Sequence, residues 1–236
     1  MPSDADPVPS RPEPADSAKE QAVGPLLIEW AKSEGRAFPW RDVGSTPYEV
    51  LVSELLLKRT TAQAASRVYG QFLAEFPDLA AITSASPDNL EAILSSVGLQ
   101  RQRAHGFKAM AQFLVDHYGG VVPSDLDLLR TVPQVGEYAA RAVLSFGYGK
   151  AAAVVDSNVV RVLGRLFSLS LGPDPKLARF QELADTVLPV HDHKRFNWGI
   201  LDLGALVCRY DRPRCEICPL MSICDTNDYL YKIPPT

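Results

Sequence analysis

Apolar residues recur at intervals of three and four along almost the whole chain, which is the spacing of amphipathic α-helices. Proline, glycine, aspartate and serine interrupt this spacing and mark turns, as in Phe76-Pro77-Asp78. The predicted helices are 26–35, 48–76, 89–98, 103–120, 125–132, 137–149, 157–169, 176–188 and 194–208. Only residues 151–155 could form a strand, and they are too few to build a sheet. The sequence therefore predicts an all-α fold.

The charge distribution leaves a nucleic-acid partner open. The 236 residues carry a formal charge of −4, and four acids against one arginine place −3 of it in residues 1–16. We predict that this acidic, proline-rich stretch is a disordered tail, because it has too little apolar surface to order itself. The remaining chain is nearly neutral and can carry basic patches at 58–59, 101–103 and 161–165. Each patch alone is more typical of a solvated helix face.

No apolar run is long enough to cross a bilayer, and the polar N-terminus has no secretory signal. We therefore expect a cytoplasmic protein. Its length suffices for one large domain or two small ones.

Four cysteines fall within seventeen residues near the C-terminus: Cys208, Cys215, Cys218 and Cys224. A disulfide framework is disfavoured, because a helical core of this size needs no covalent staples. Structural zinc sites usually take two close pairs of cysteines, and only Cys215 and Cys218 form such a pair. A [4Fe–4S] cluster accepts looser separations. The spacing favours the cluster, and zinc remains the alternative.

The stretch "VPQVGEYAARAV", residues 132–143, predicts a tight turn followed by a helix. Pro133 cannot continue a helix, and Gly136 is free to adopt positive φ. The helix that follows would present unpaired backbone N–H groups, which bind phosphate oxygens. An ordinary corner between two helices is the alternative.

The turn, the cysteine spacing and their order resemble the helix-hairpin-helix DNA glycosylases of the endonuclease III class, from about Leu26 to Cys224. The resemblance implies two helical lobes with a DNA-binding cleft between them. A six-helix lobe would span 43–149, and an iron–sulfur lobe would combine 17–42 with 150–236. In this family the four cysteines hold a structural [4Fe–4S] cluster in a loop, here 208–224.

The family's hairpin holds a DNA phosphate through backbone amides, often with a bound monovalent cation. The resemblance assigns this contact to Val135 and Gly136. Gln134 stands where the family has its first hairpin glycine, so we expect altered geometry there, because a side chain disfavours positive φ.

Two carboxylates are candidate catalytic groups. Asp156 precedes a predicted helix and by itself is typical of an N-cap. The resemblance makes it the carboxylate that stabilises the sugar cation left by the departing base. Glu54 interrupts the apolar run "VLVSELLL", where burial would raise its pKa and let it donate a proton. A solvent-facing glutamate is the alternative.

Tyr138 stands where bifunctional relatives carry the lysine that attacks C1′. A phenol cannot form a Schiff base, so we predict base excision by water without efficient strand cleavage. Tyr138 would position the extruded nucleotide or donate a hydrogen bond to Asp156. A half-buried tyrosine with a satisfied hydroxyl is the alternative.

The stretches "LLLKRTTA", "GLQRQRA" and "QVGEY" resemble the branch of G/T mismatch thymine-DNA glycosylases. The A/G mismatch adenine glycosylases are also similar, but they add a large C-terminal domain, and here only twelve residues follow Cys224. We therefore predict a monomer that removes thymine or uracil opposite guanine in double-stranded DNA. Adenine excision and a non-enzymatic DNA-binding module are the alternatives.

The same branch suggests how the duplex would be held. We expect a loop that contains Gln100 and Arg101 to insert beside the orphaned guanine, and we expect Arg59 to belong to the basic cleft. Leu57 and Lys58 would line the pocket for the extruded base, together with Glu54 and Tyr138.

Overall fold

The computed structural model describes residues 14–169 and 177–226, and the helices in these ranges confirm the predicted all-α fold. No strand occurs in either range. The α-helices are α1 (Pro14–Glu34), α2 (Pro47–Leu57), α3 (Ala62–Glu75), α4 (Leu79–Ser84), α5 (Pro87–Leu94), α6 (Gln100–Tyr118), α7 (Leu126–Thr131), α8 (Glu137–Ala142), α9 (Ser157–Leu166), α10 (Leu177–Val187) and α11 (His193–Leu206). A π-helical turn, Val143–Gly147, continues α8, and short 3₁₀ turns cover Ser95–Val97, Cys215–Ile217 and Met221–Ile223. None of these helices is long and apolar enough to span a membrane.

Side chains that the sequence presents at helix starts act as N-caps. Thr46 forms a capping box with Glu49 ahead of Pro47, and Asp78 and Ser86 cap α4 and α5. The short helix α4 was not predicted, although Asp78 is a recognisable start signal.

The single helix predicted over 48–76 is wrong, because the chain breaks it into α2 and α3. Thr61 is in an extended conformation, and its side chain accepts a hydrogen bond from the Ala64 amide, so it caps the start of α3. Between the helices, Arg59 adopts a left-handed conformation with φ 55°. Helix α1 begins at Pro14, so the last three residues of the predicted disordered tail lie in its first turn. Residues 1–13 of that tail lie outside the described residues.

Buried apolar side chains form two clusters. One is built mainly from α2–α8 and the π-helical turn, and the other from α1, α9, α10 and α11. The segment 151–156 runs between them without regular secondary structure and without pairing to a strand. Ala152 and Val154 enter the first cluster, whereas Ala153 enters the second. This alternation explains the strand-like sequence, and it places Asp156 where the two clusters meet. The predicted lobe boundaries stay a prediction.

Side chains rather than a β-ladder satisfy the backbone of this segment. Asn197 accepts a hydrogen bond from the Val154 amide at 3.2 Å and donates one to the Ala152 carbonyl at 2.9 Å. Asp185 accepts a hydrogen bond from the Ala153 amide at 3.2 Å. The backbone that leads to Asp156 is therefore held by side chains from α10 and α11.

Candidate active site

A cavity of about 450 Å³, here called the main cavity, opens where α2, α8, α9 and α11 meet the loop before α2. Five of the residues predicted for the site line it: Glu54, Leu57, Lys58, Tyr138 and Asp156. They come from three separate parts of the chain, so the fold brings the candidate catalytic groups together.

Asp156 caps α9, as its sequence position indicates, and its carboxylate is held by three hydrogen bonds. Oδ1 accepts from the backbone amides of Asn158 and Val159 at 2.8 and 2.9 Å. Oδ2 accepts from the Asn158 side-chain amide at 2.8 Å. Asn158 is in turn held by Arg161, whose Nη2 donates to Asn158 Oδ1 at 2.8 Å. The cap therefore fixes the direction in which the carboxylate faces the main cavity.

Glu54 is buried, with 8% of its surface exposed, so the alternative of a solvent-facing glutamate is wrong. Burial first, and then the negative charge of Asp156, raise its pKa from 4.5 to about 8, while Lys58 opposes the rise. Among the described residues, none donates a hydrogen bond to the Glu54 carboxyl. At neutral pH this carboxyl is therefore largely protonated and faces the open cavity.

Tyr138 is half-buried at the start of α8. Burial, followed by the charges of Glu54 and Asp156, raises its pKa well above 10, although Arg41 opposes the rise. The phenol therefore keeps its proton. Asp156 takes its hydrogen bonds from Asn158 and Val159 and not from Tyr138, so the predicted hydrogen bond between them is absent from this structure.

The sequence reasoning missed the basic and aromatic wall of the main cavity, which comes from the stretch "GRAFPWR" before α2. Asp202 is fully buried and accepts from Arg36 Nε and Arg41 Nη1, both at 2.6 Å. The Arg41 guanidinium lies over Phe38 and Trp198, at 5.1 and 5.9 Å from the ring centroids. The alternation of arginines and aromatics in this stretch was an available signal.

The hairpin turn, Val132–Gly136, differs from the expectation at two residues. Gln134 adopts the left-handed conformation, with φ 71°, whereas Gly136 is extended, with φ −95°. The residue that carries a side chain therefore takes the strained position. Lys58 Nζ donates to the Gln134 carbonyl and lies 3.4 Å from its Oε1, which supports the turn.

The hairpin residues predicted to bind DNA are placed differently. The Val135 side chain is buried, and its backbone amide donates to the Val132 carbonyl at 3.0 Å. This amide already has a partner within the turn. At Gly136, which caps α8, an added Cβ would meet no atom within 4 Å, so the backbone there is open to approach.

Gln100 and Arg101 do not form a loop but lie in the first turn of α6. The Arg101 side chain is 89% exposed and pairs with Glu91 at 3.5 Å. Leu99, directly before them, is left-handed with φ 53° and 46% exposed. Leu99 and Arg59 line a second cavity of about 240 Å³, and Lys58 lines both cavities.

The four cysteines line one small cavity of about 30 Å³ together with Arg165, Arg214 and apolar residues. The structure records no disulfide among them. Burial and the neighbouring thiols raise the pKa of the Cys215 thiol. The same causes raise the pKa of the Cys218 thiol to about 11. Arg165 Nη1 lies 3.5 Å from Cys208 Sγ. Within the described ranges, no three histidine, cysteine or acidic side chains are grouped as a site for a single metal ion.

Comparison with known proteins gives consistent matches. The chain is 34% identical over 205 residues to the thymine/uracil-DNA glycosylase of Methanothermobacter thermautotrophicus. The matched stretch covers 86% of this chain and 91% of that protein. It is 33% identical to the thymine-DNA glycosylase of Aeropyrum pernix, over 89% of this chain and 96% of that one. It is 32% identical to the adenine DNA glycosylase of Mycobacterium tuberculosis, over 89% of this chain and 69% of that one.

The solved structures agree. The structure of a thermostable thymine-DNA glycosylase matches with a TM-score of 0.86 and 30% identity, over 91% of this chain and 99% of that one. A non-covalent endonuclease III–DNA complex, 24% identical, shares the fold with a TM-score of 0.75, over 91% of this chain and 99% of that one. Residues 52–184 match the family described as HhH-GPD superfamily base excision DNA repair protein. This chain therefore belongs to the HhH-GPD superfamily of base excision DNA repair proteins.

Proposed function

We propose that this protein is a monofunctional DNA glycosylase that hydrolyses the N-glycosidic bond of thymine or uracil mispaired with guanine. The observation that carries the proposal is the pair of carboxyl groups in the main cavity, Glu54 protonated and Asp156 capping α9. The relatives named thymine/uracil-DNA and thymine-DNA glycosylases support this choice of base.

Asp156 would stabilise the transition state by its charge. Breaking the N-glycosidic bond leaves positive charge on C1′ and O4′ of the deoxyribose. A fixed carboxylate lowers the energy of that cation. The three hydrogen bonds to Asp156 hold the carboxylate in place, so it need not reorganise during the reaction.

Glu54 would serve as the general acid. Loss of a pyrimidine leaves negative charge on the departing base, and a carboxylic acid with a pKa of about 8 donates a proton readily near neutral pH. Its carboxyl faces the main cavity, so it can also orient the attacking water.

Tyr138 would position the extruded nucleotide as a neutral phenol. Because it offers no amine, the sugar is attacked by water, and the DNA strand stays intact after base release. Extrusion itself contributes selectivity, since a mispaired base costs less to remove from the stack than a paired one.

The duplex would be held on the face that carries the hairpin turn. Gly136 offers open backbone to a phosphate, with a monovalent cation at the hairpin as in the family. Lys58 and Arg59 supply positive charge, and the start of α6, with Leu99, Gln100 and Arg101, would lie beside the orphaned guanine. We infer a monomer acting on chromosomal DNA in the cytoplasm.

The four cysteines would hold a [4Fe–4S] cluster. The fit rests on four thiols from one short loop that line a single cavity, beside an arginine that reaches Cys208. The cluster's contribution would be structural, since four bonds to one loop fix its conformation. Arg165 also donates to the carbonyls of Arg209 and Tyr210, so it orders the same loop.

Adenine excision opposite guanine is the second candidate. A protonated Glu54 suits an adenine leaving group equally well, and adenine DNA glycosylases are among the relatives.

One experiment decides between these functions. The purified protein is incubated with duplexes containing G/T, G/U, A/G or A/8-oxoguanine pairs, and abasic sites are scored with and without alkali. We expect base release from G/T and G/U, with strand breaks only after alkali. Release of adenine alone would favour the second candidate, and no release from any duplex would favour the non-enzymatic DNA-binding module.

A further inference from the structure

Arg103 is a buried arginine, 9% exposed, that pairs with no carboxylate in the described part of the chain. Its guanidinium donates instead to four backbone carbonyls. Nε reaches Gly98 at 2.8 Å, Nη1 reaches Leu55 and Leu56 at 3.0 and 3.2 Å, and Nη2 reaches Lys58 at 2.5 Å. Burying a charge is costly unless its hydrogen bonds are satisfied, so this arrangement indicates a specific role.

The four carbonyls belong to two turns that are far apart in sequence. Leu55, Leu56 and Lys58 lie at the end of α2, where helix carbonyls lack partners and a positive charge is favourable. Gly98 lies in the turn before α6. A single planar side chain therefore ties the end of α2 to the start of α6.

Each of these turns contains a residue in a strained conformation. Arg59 has φ 55° and Leu99 has φ 53°, and neither is a glycine. Left-handed conformations of this kind are unfavourable for residues that carry a side chain, and they persist only where the surroundings enforce them. Arg103 lies between the two residues, and all three line the second cavity.

The side chains of Arg59 and Leu99 are exposed, and the neighbouring Lys58 also lines the main cavity. The two turns therefore stand side by side next to the main cavity, which receives the extruded nucleotide in the proposed function. If they moved independently, one could contact the duplex without the other.

We propose that Arg103 is a positioning residue that fixes these two turns as one unit, so that Arg59 and Leu99 enter the duplex together as the mispaired nucleotide leaves the stack. This inference rests on the proposed function. Arg103 itself does not touch the base or the sugar. Its loss reduces extrusion, which precedes base release.

The test compares two variants on the same helix, α6. Arg103→Lys keeps the charge, but one nitrogen cannot reach carbonyls on both turns. Lys108→Met is the matched control, because Lys108 Nζ donates to the Thr83 carbonyl at 2.7 Å, away from both turns.

Base release from G/U duplexes is measured under single turnover with saturating enzyme. Extrusion is measured in an Asp156→Asn background by the fluorescence of 2-aminopurine placed beside the mismatch, and thermal melting reports folding.

We expect Arg103→Lys to lower the base-release rate at least tenfold and to reduce the fluorescence rise, while Lys108→Met stays within twofold of the unmodified protein. A second variant, in the turn before α6, tests the same link if Arg103→Lys does not fold. Gly98→Ala introduces no clash but strains a residue with φ 71°, which displaces the carbonyl that Arg103 binds. It should lower extrusion in the same direction, and the double variant should be no worse than Arg103→Lys alone.

Three results would overturn the proposal. The first is an unchanged fluorescence rise in a folded Arg103→Lys protein, and the second is additive effects of Arg103→Lys and Gly98→Ala in the double variant. The third is the absence of any fluorescence rise in the protein that keeps Arg103. Unmodified protein that releases neither thymine nor uracil refutes the proposed function instead, and the fluorescence comparison then still decides the role of Arg103.

Discussion

Glu54 and Asp156 face one cavity from α2 and from the start of α9, and the charge of Asp156 helps raise the pKa of Glu54 to about 8. Two carboxyl groups close together in a buried site do not ionise equally. The Asp156 carboxylate accepts three hydrogen bonds, which stabilise its negative charge. The Glu54 carboxyl accepts none from the described residues, so Glu54 is the group that keeps its proton. The environment thus assigns the acid and the anion.

Base release should fall as pH rises through about 8. The acid form of Glu54 is present below its pKa and is lost above it. Single-turnover rates measured from pH 6 to 9.5 should show this decline, and Glu54→Gln should be slow and lack it. A decline of the same shape in Glu54→Gln would show that another group titrates.

Glu54→Gln should also stabilise the folded protein. The folded pKa of about 8 lies above the ordinary value of 4.5, so between these pH values the unfolded chain releases a proton that the folded chain retains. This difference in proton binding destabilises the folded protein. The destabilisation is absent below about pH 4.5 and grows until about pH 8. The variant should gain on the order of 3 kcal/mol at neutral pH. Thermal melts at pH 4.5 and pH 8 check this, with no difference expected at the lower pH.

Asp156→Asn should separate capping from chemistry. Asparagine is as good an N-cap as aspartate, so the melting temperature should change little. Base release should fall on the order of 100-fold or more, because the fixed charge is gone. Asp156→Ala loses the cap as well and should cost about 1 kcal/mol of stability. Unimpaired release by a folded Asp156→Asn protein would refute the proposed mechanism.

Tyr138→Lys should convert the protein into one that also cuts the strand. The side chain already faces the main cavity, and an amine there can form a Schiff base with the sugar. Strand breaks without alkali and a covalent complex trapped by borohydride are the expected products. Tyr138→Phe is the control, and it should give neither product. If Tyr138→Lys releases bases but traps no complex, position 138 does not reach C1′.

Gln134→Gly should be more stable than Gln134→Ala by about 1 kcal/mol, because glycine tolerates positive φ and alanine does not. Both variants lose the contact of the Gln134 side chain with Lys58, so the comparison isolates the backbone. Denaturant unfolding of the two proteins measures the difference. Equal stabilities would show that the turn relaxes when the side chain is removed.

Much of the local structure could be predicted from sequence because its causes are local. Helical spacing, N-caps such as Asp156, and proline and glycine breaks depend on residues a few positions apart. The break at 58–61 was missed because "LLLKRTTA" continues the helical spacing, and Thr61 acts as an N-cap only once α2 has ended.

The sequence by itself determined the all-α fold, the family and the residue types of the candidate site, since these follow from periodicity, spacing and motif order. Only the tertiary structure decided the rest: that Glu54 is buried beside Asp156, that Asp202 holds Arg41 over the main cavity, and that Arg103 joins two turns. Each of these depends on contacts between residues far apart in the chain. Burial and charge at such contacts arise from packing, which no local pattern of residues encodes.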